Sequence, residues 1–396
     1  MKVCLYNVTT TTQYGGVESF VWEVARGLAQ RGIETTIVGG NGQIRRAYAA
    51  VRVVTFPFTA RETLRKIPGL AKQYTWTKLA ERLTFGYNAR AFMQRENFDI
   101  VHIQKPYDLP AMKWLKRTTA SKIVLGCHGT DFFPGDRHFV NASDIAVSCS
   151  AFNAAQVRAH YGIAPRVVYN GIDPTQFFPA SPERSPLSFP PREDADSTER
   201  TPLRSLPQNV PASQNAAVSV LYAGRLVRWK GVQYLLDAIA LLSKTYNVEL
   251  WIAGEGEYRA ALEERARALG ISERVKFLGY ISTDALAPYY ARAAVVALAS
   301  YANETFSIMS AEAMACARSV VGSRFGGIPE VIADGETGLL AEPENANDFA
   351  AKIGRLLDDE KLRERFGARG RARVLKLFTW DAVTARVLAA YQTVLT

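Results

Sequence analysis

The sequence predicts an α/β protein made of two doubly wound, Rossmann-like halves in tandem. Three observations lead there. Strand-like apolar runs alternate with helical periodicity from residue 2 to about 169, and the alternation restarts at Val218. The chain has 396 residues, more than one ordinary core organises, so two domains are the default. Between the halves lies a stretch, 181–215, in which Pro182, Pro186, Pro190, Pro191, Pro202, Pro207 and Pro211 stand among Ser, Glu, Arg and Asp. Such a stretch buries too little apolar surface to offset its ordering entropy, and it reads as a flexible Pro/Ser-rich insertion. The expected domains are 1–180, 216–379 and this insertion between them.

Composition narrows the class. Hydrophobic residues make up 48% and charged residues 22%, as in ordinary globular proteins. No run of 18 apolar residues exists, so no membrane span is expected. Residues 1–8 read as a strand, not as a signal peptide. Cys4, Cys127, Cys149 and Cys316 are far apart and make no metal spacing, which suggests reduced thiols of a cytoplasmic protein. The net charge of +10 lies wholly in the first half: residues 1–179 hold 22 Lys and Arg against 12 Asp and Glu, and the remainder balances at 26 each. An anionic partner is therefore expected for the first half only.

In the first half, 2–8 is β-prone and 9–14 is a polar loop. Gly15-Gly16 then precede a helical pattern at Val17, Phe20, Val21, Val24 and Leu28, which Gly32 ends. Paired glycines at a helix start either let backbone N–H groups approach an anion or make a tight turn. Strands follow at 33–38 and 51–56. From Arg61 to Arg95 eight cations face only Glu62 and Glu81, with Tyr74, Trp76, Leu79, Leu83, Tyr87 and Phe92 among them. This segment suits an anionic membrane surface, or else a sheet-packed helix whose polar face is basic. No helix-turn-helix, zinc or RNP pattern supports nucleic acid. Strands at 99–103 and 122–127 flank a helix near 109–116. The second strand ends in His128-Gly129-Thr130-Asp131, on the rim of the sheet, where a histidine serves a ligand or a structural hydrogen bond. Strands at 144–148 and 165–169 enclose a helix at 151–161.

In the second half, the strand 218–223 leads through Gly224-Arg225-Leu226-Val227-Arg228-Trp229-Lys230-Gly231 into a helix at 232–242. Two cations beside a helix start make an anion site, unless they merely face solvent. Strands at 248–253 and 275–279 follow, with a helix to 269 between them, and Tyr280 ends the second. The apolar run 293–299 precedes Asn303-Glu304-Thr305-Phe306-Ser307-Ile308, which opens a helix ending near 317. By themselves Glu304 could cap that helix and Glu312 could face water. Helices fill 345–357, 360–375 and 380–395.

Taken together, Arg225 and Lys230 suit a diphosphate, and Glu304 and Glu312 suit hydroxyls. A nucleotide sugar carries both. No Walker A pattern is present, and no strand end carries an Asp-x-Asp metal signature. No metal is expected, and the cations would take its part at the leaving diphosphate.

The chain resembles glycosyltransferase family 4, the retaining GT-B enzymes, over nearly its whole length except 181–215. The resemblance rests on Gly15-Gly16-Val17-Glu18, His128-Gly129-Thr130-Asp131, Asn170-Gly171-Ile172-Asp173, Gly224-Arg225-Leu226, Lys230-Gly231, Glu304, Glu312-Ala313-Met314 and Gly326-Gly327-Ile328-Pro329-Glu330. It implies two Rossmann-like domains facing a central cleft, with a last helix near 380–396 returning to the first. It implies that Arg225 and Lys230 hold the diphosphate of a UDP- or GDP-linked donor. Glu304 would bind the transferred sugar, Glu312 the ribose, and Tyr280 would meet the base. Backbone around Phe306, Ser307 and Ile308 would lie near sugar and phosphate, Gly15 and Gly16 near the diphosphate, and His128 near the anomeric centre. The catalytic set would be His128, Arg225, Lys230 and Glu304, with no cofactor beyond the donor. Many relatives have Gly where Ser307 stands. The expected reaction moves a hexose to a glycan or lipid-linked acceptor, in polysaccharide or glycolipid synthesis at the inner membrane face. A sugar-nucleotide epimerase, a glycan phosphorylase and a non-catalytic sensor are the competing readings.

Overall fold

A computed structural model describes residues 1–44, 46, 48–67, 69, 72–179 and 217–396. The proline-rich stretch 181–215 lies outside them. The described chain divides into two compact units, Met1–Gly171 with Trp380–Thr396, and Ile172–Thr379.

The first unit opens with β1 (Lys2–Tyr6), α1 (Gly16–Ala29), β2 (Glu34–Gly40) and β3 (Val51–Phe56). It continues with α2 (Arg61–Leu64), α3 (Tyr74–Glu96), β4 (Ile100–Ile103), α4 (Leu109–Leu115), β5 (Lys122–Cys127), β6 (Ile145–Ser148), α5 (Ala151–Tyr161) and β7 (Arg166–Val167). The strands form one parallel sheet in the order β3-β2-β1-β4-β5-β6-β7. Alternate residues of β1 feed two separate cores. Cys4 and Tyr6 pack with Phe85 and Met93 of α3, while Val3 and Leu5 pack with Phe20 and Val24 of α1. Helices on both faces explain why β1 reads as an unbroken apolar run.

The second unit holds β8 (Val218–Ala223), α6 (Val232–Leu242), β9 (Val248–Ala253), α7 (Arg259–Ala268), β10 (Val275–Gly279), α8 (Thr283–Arg292) and β11 (Val295–Leu298). Then come α9 (Ile308–Ala315), β12 (Ser319–Ser323), α10 (Ile328–Val331), β13 (Leu339–Ala341), α11 (Ala346–Asp358) and α12 (Glu360–Leu377). Its parallel sheet runs β10-β9-β8-β11-β12-β13. In each unit the chain starts in mid-sheet, builds outward one way, then returns to build the other way. The reversal leaves a crevice at the C-terminal strand ends, between β1 and β4 in one unit and between β8 and β11 in the other. The last helix, α13 (Trp380–Leu395), packs Val383, Val387 and Tyr391 into the core under α1.

One expectation needs correction. Residues 172–179 belong with the second unit: Ile172 pairs with Thr379, and Phe177 packs edge-on against Tyr290 at 5.9 Å. Within the basic segment, Lys78 and Arg82 are buried while the other cations are exposed or half-buried. Arg82 is buried and donates to Asp108 Oδ2 at 2.9 Å and to Asn7 Oδ1 at 3.0 Å. Lys78 is buried against Asp131 at 3.0 Å, and burial lowers its ammonium to a pKa of about 8. Both side chains therefore fasten α3 to the strand-end loops. Burial lifts the Asp108 carboxyl to about 6 against the pull of Arg82. The four thiols are free and buried.

Breaking a buried pair strands a charge, so Arg82→Ala should destabilise the first unit by roughly 3–5 kcal/mol. Lys72→Ala, at an exposed position on the same segment, should stay within about 0.5 kcal/mol. Urea denaturation of both variants checks this, and equal midpoints would contradict the pairing.

Candidate functional site

The second unit gathers most of the candidate residues at the reversal between β8 and β11. The loop after β8 carries Arg225 and Lys230, and the loop after β11 carries Glu304. Lys230 Nζ donates to Glu304 Oε2 at 2.6 Å, and Ser300 Oγ donates to the same oxygen at 2.9 Å. Among the described residues Oε1 of Glu304 takes no hydrogen bond. Arg225 is exposed and forms no ion pair among the described residues. Its guanidinium lies 6.0 Å from the Trp229 ring centroid, and the Lys230 ammonium lies 4.8 Å from the same ring. One indole thus holds two cations at one strand end.

Backbone stitching sets this geometry. Tyr301 N donates to Trp229 O at 3.0 Å, which ties the two loops together. Gly231 has φ +73°, and a Cβ there would overlap the carbonyl oxygen of Ala299. Gly326 has φ +62°, and a Cβ there would overlap the carbonyl oxygen of Glu304. Gly327 N donates to that same oxygen at 2.9 Å. The glycines around Lys230 and before Ile328 are therefore packing requirements of the Glu304 loop.

Glu304 does not cap α9. Ser307 does, at φ +79°. Its Oγ lies 2.7 Å from Ser310 Oγ and accepts from Ser310 N at 3.4 Å. The left-handed backbone is why a glycine suits this position, and the hydroxyl turns to the helix. Phe306 is buried edge-on against Phe378 at 5.4 Å, and Ile308 begins α9. Glu312 does not face water. It is 7% exposed and accepts from Tyr290 Oη at 2.7 Å. Burial raises its carboxyl to about 7, while the tyrosine hydrogen bond pulls it down. Tyr280 stands exposed after β10, on the other side of the sheet centre.

In the first unit, His128 follows β5 and rests against the Phe20 ring at 4.8 Å. Its Nε2 lies 2.9 Å from Gln104 Oε1. Burial first, then the nearby Lys105, lowers its pKa to about 3, so the ring is neutral. Gly16 begins α1 and Gly15 precedes it. Glu18 sits in the first turn and accepts from Thr9 Oγ1 at 2.5 Å, so the chain's own acid stands at this helix start. Ser300, Trp229, Tyr290 and Gln104 escape a reading by sequence motif. Only Trp229, inside the cationic loop, carries a signal that could have found it.

Among the described residues no cluster of acids, histidines or cysteines is arranged to hold a metal, and no helix is long and apolar enough to cross a membrane.

Comparison with known proteins adds the following. The model of "Glycosyltransferase Family 4" matches residues 14–176, and that of "Glycosyl transferases group 1" matches 209–373. An uncharacterized glycosyltransferase of Methanocaldococcus jannaschii is 30% identical over 62% of this chain, which spans 56% of that relative. A D-inositol 3-phosphate glycosyltransferase of Xylanimonas cellulosilytica is 28% identical over 96% of this chain and 92% of its own length. Among solved structures, an Anabaena protein in complex with UDP-glucose superposes with a TM-score of 0.72 at 18% identity, over 99% of this chain and 100% of that one.

The cap and the backbone of Ser307 separate by substitution. Ser307→Ala keeps the strained φ and loses the cap, a cost of about 1 kcal/mol. Ser307→Gly loses the cap and relieves the strain, and should fall within about 0.5 kcal/mol of the parent. Thermal unfolding of the two variants checks the order; an alanine variant as stable as the glycine one contradicts it.

Proposed function

The chain belongs to the glycosyltransferases of family 4, and we propose that it moves a hexose from a UDP- or GDP-linked donor to a glycan or lipid-linked acceptor, with retention and without a metal. The observation that carries this is the Lys230–Glu304 pair at the β8–β11 reversal, with Arg225 beside it. It sets the Lys230 ammonium against a carboxylate whose Oε2 is tethered and whose Oε1 is available for a sugar hydroxyl, with the Arg225 guanidinium by the same indole as Lys230. The Anabaena neighbour binds UDP-glucose on the same fold, which supports a nucleotide-sugar donor.

In this reading Arg225 and Lys230 stabilise the charge that develops on the departing diphosphate. An ammonium has three donors, so Lys230 can keep Glu304 while it meets a phosphate oxygen. Glu304 orients the transferred sugar. Glu312, held by Tyr290, accepts from ribose hydroxyls, and its carboxyl near 7 makes the ionised form available at neutral pH. Phe306, Ser307 and Ile308 contribute backbone rather than side chains, since the Ser307 hydroxyl is committed to the helix cap. Tyr280 is assigned to the base and His128 to the transferred sugar. Gly15 and Gly16 are assigned to the diphosphate, a role that needs Glu18 to move from the helix start. The leaving phosphate helps to deprotonate the acceptor, with no protein nucleophile.

Arg225→Ala and Lys230→Ala should each lower turnover at least about a hundredfold, as for loss of one transition-state donor. Only Lys230→Ala should also cost stability, because it removes the counter-charge of Glu304 and leaves the carboxylate with the Ser300 hydroxyl alone. A thermal-shift panel of UDP, GDP and their sugars identifies the donor by the rise in unfolding temperature. Near-normal turnover of both variants with that donor would remove the assignment.

For the acceptor side we infer a lipid surface under α3. Trp76, Leu83 and Tyr87 are 55%, 43% and 65% exposed. Their spacing of seven and four residues puts them on one stripe of the helix. The exposed Lys72 and the Arg90 guanidinium, 3.6 Å from the Tyr87 ring centroid, lie toward its two ends. Aromatic and cationic groups together suit an anionic interface. The chain should sediment with phosphatidylglycerol vesicles at low salt, and Trp76→Ser with Tyr87→Ser should reduce binding at least about tenfold. Failure of the parent protein to bind ends this inference.

A further inference from the structure

His128 sits in a built setting whose other members have no role in the reading above. Gln104 follows β4 and is fully buried, 0% exposed. Strands β4 and β5 pair in parallel with Ile103 opposite Leu125, so Gln104 comes beside Gly126 and next to His128. Gln104 Nε2 donates to the His102 carbonyl oxygen at 3.1 Å. That bond turns Gln104 Oε1 towards His128 Nε2, 2.9 Å away. Gly126 makes room for this arrangement: a Cβ there would lie 3.0 Å from both Gln104 Oε1 and His102 Nε2.

An amide oxygen only accepts, so the nitrogen facing it must carry the hydrogen. We propose that Gln104 is the positioning residue of His128: its amide fixes the imidazole as the Nε2–H tautomer in one orientation, so that any acceptor role of the ring falls to Nδ1. The backbone bond to His102 prevents the amide from turning over, because a flipped Gln104 would set its oxygen against the His102 carbonyl oxygen. The Phe20 ring of α1 packs on the imidazole and limits its rotation. His102 is tied in turn to the last helix, its Nδ1 2.7 Å from Tyr391 Oη. Burial first, then the Lys105 ammonium, keeps His128 neutral; burial keeps His102 beside it neutral as well, and Asp131 is shared between Lys105 and Lys78.

The role at the sugar rests on the assignment of His128 made above; the tautomer does not. Long-range proton–nitrogen spectra of the imidazoles in the full chain read the tautomer directly. The chain has four histidines, so single His→Asn variants assign the signals. The parent should show His128 as a neutral Nε2–H ring from pH 8 to pH 5. Gln104→Leu should give a mixed or Nδ1–H ring and lower kcat/KM about ten- to a hundredfold, as for loss of other orienting partners. Gln104→Glu keeps an acceptor and the same shape. It should restore the Nε2–H form and move the titration of His128 upward, and it carries the test if the leucine variant does not fold. An Nδ1–H ring in the parent, or an unchanged ring in Gln104→Leu, overturns the proposal. So does a changed ring with undiminished transfer. Full transfer by His128→Ala with the parent tautomer intact overturns instead the assignment of His128 to the sugar.

Discussion

The Lys230–Glu304 contact is the constraint from which the second unit's strand-end loops take their form. It joins the loop after the first strand of that sheet to the loop after its fourth, where the order of building reverses. Two charges from different loops meet at 2.6 Å only if the backbones beneath them approach closely. Gly231 lies against Ala299, and Gly326 against Glu304, where no side chain fits. Ser300 then adds a second donor to the same carboxylate oxygen. The motif glycines and the motif charges are parts of one device: the first bring the loops together, and the second give the junction its chemistry.

Most of the fold was legible because its signals are local. A parallel sheet covered on both faces writes itself as apolar runs between helical periods, and β1, β5, β8 and β9 read directly. Helix α8 is not legible in the same way: its buried residues, Ala287, Tyr289 and Tyr290, make no strong apolar period. Residues 172–179 read as part of the first unit because their partners, Thr379 and Tyr290, are remote in sequence.

The candidate site was legible by motif and opaque by environment. Arg225, Lys230, Glu304 and Glu312 stand out by type and position. Nothing in the sequence tells that Glu312 is buried under Tyr290, or that Ser307 rather than Glu304 caps α9. The basic segment shows the same limit. Charge counting treats Lys78 and Arg82 like Lys72, yet the first two are buried in ion pairs with Asp131 and Asp108. Whether a cation faces water or a buried carboxylate is decided by residues tens of positions away.

A common electrostatic logic runs through both units. At each strand-end crevice the chain supplies counter-charges for most of its own polar groups: Glu304 for Lys230, Asp131 for Lys105 and Lys78, and Asp108 for Arg82. Such pairs keep the loops ordered, because an uncompensated charge in a partly buried site carries a large desolvation penalty. They also mean that an incoming anion competes with a carboxylate already in place. Arg225 has no such partner: it is exposed and without an ion pair among the described residues. On the proposed function, a diphosphate would meet Arg225 first at little cost in broken contacts, and would draw on Lys230 only once it lay close enough to share that ammonium with Glu304. The pairing would then make the second contact sensitive to distance, so a ligand that presents an anion without a hydroxyl group for Glu304 would gain less than one that presents both.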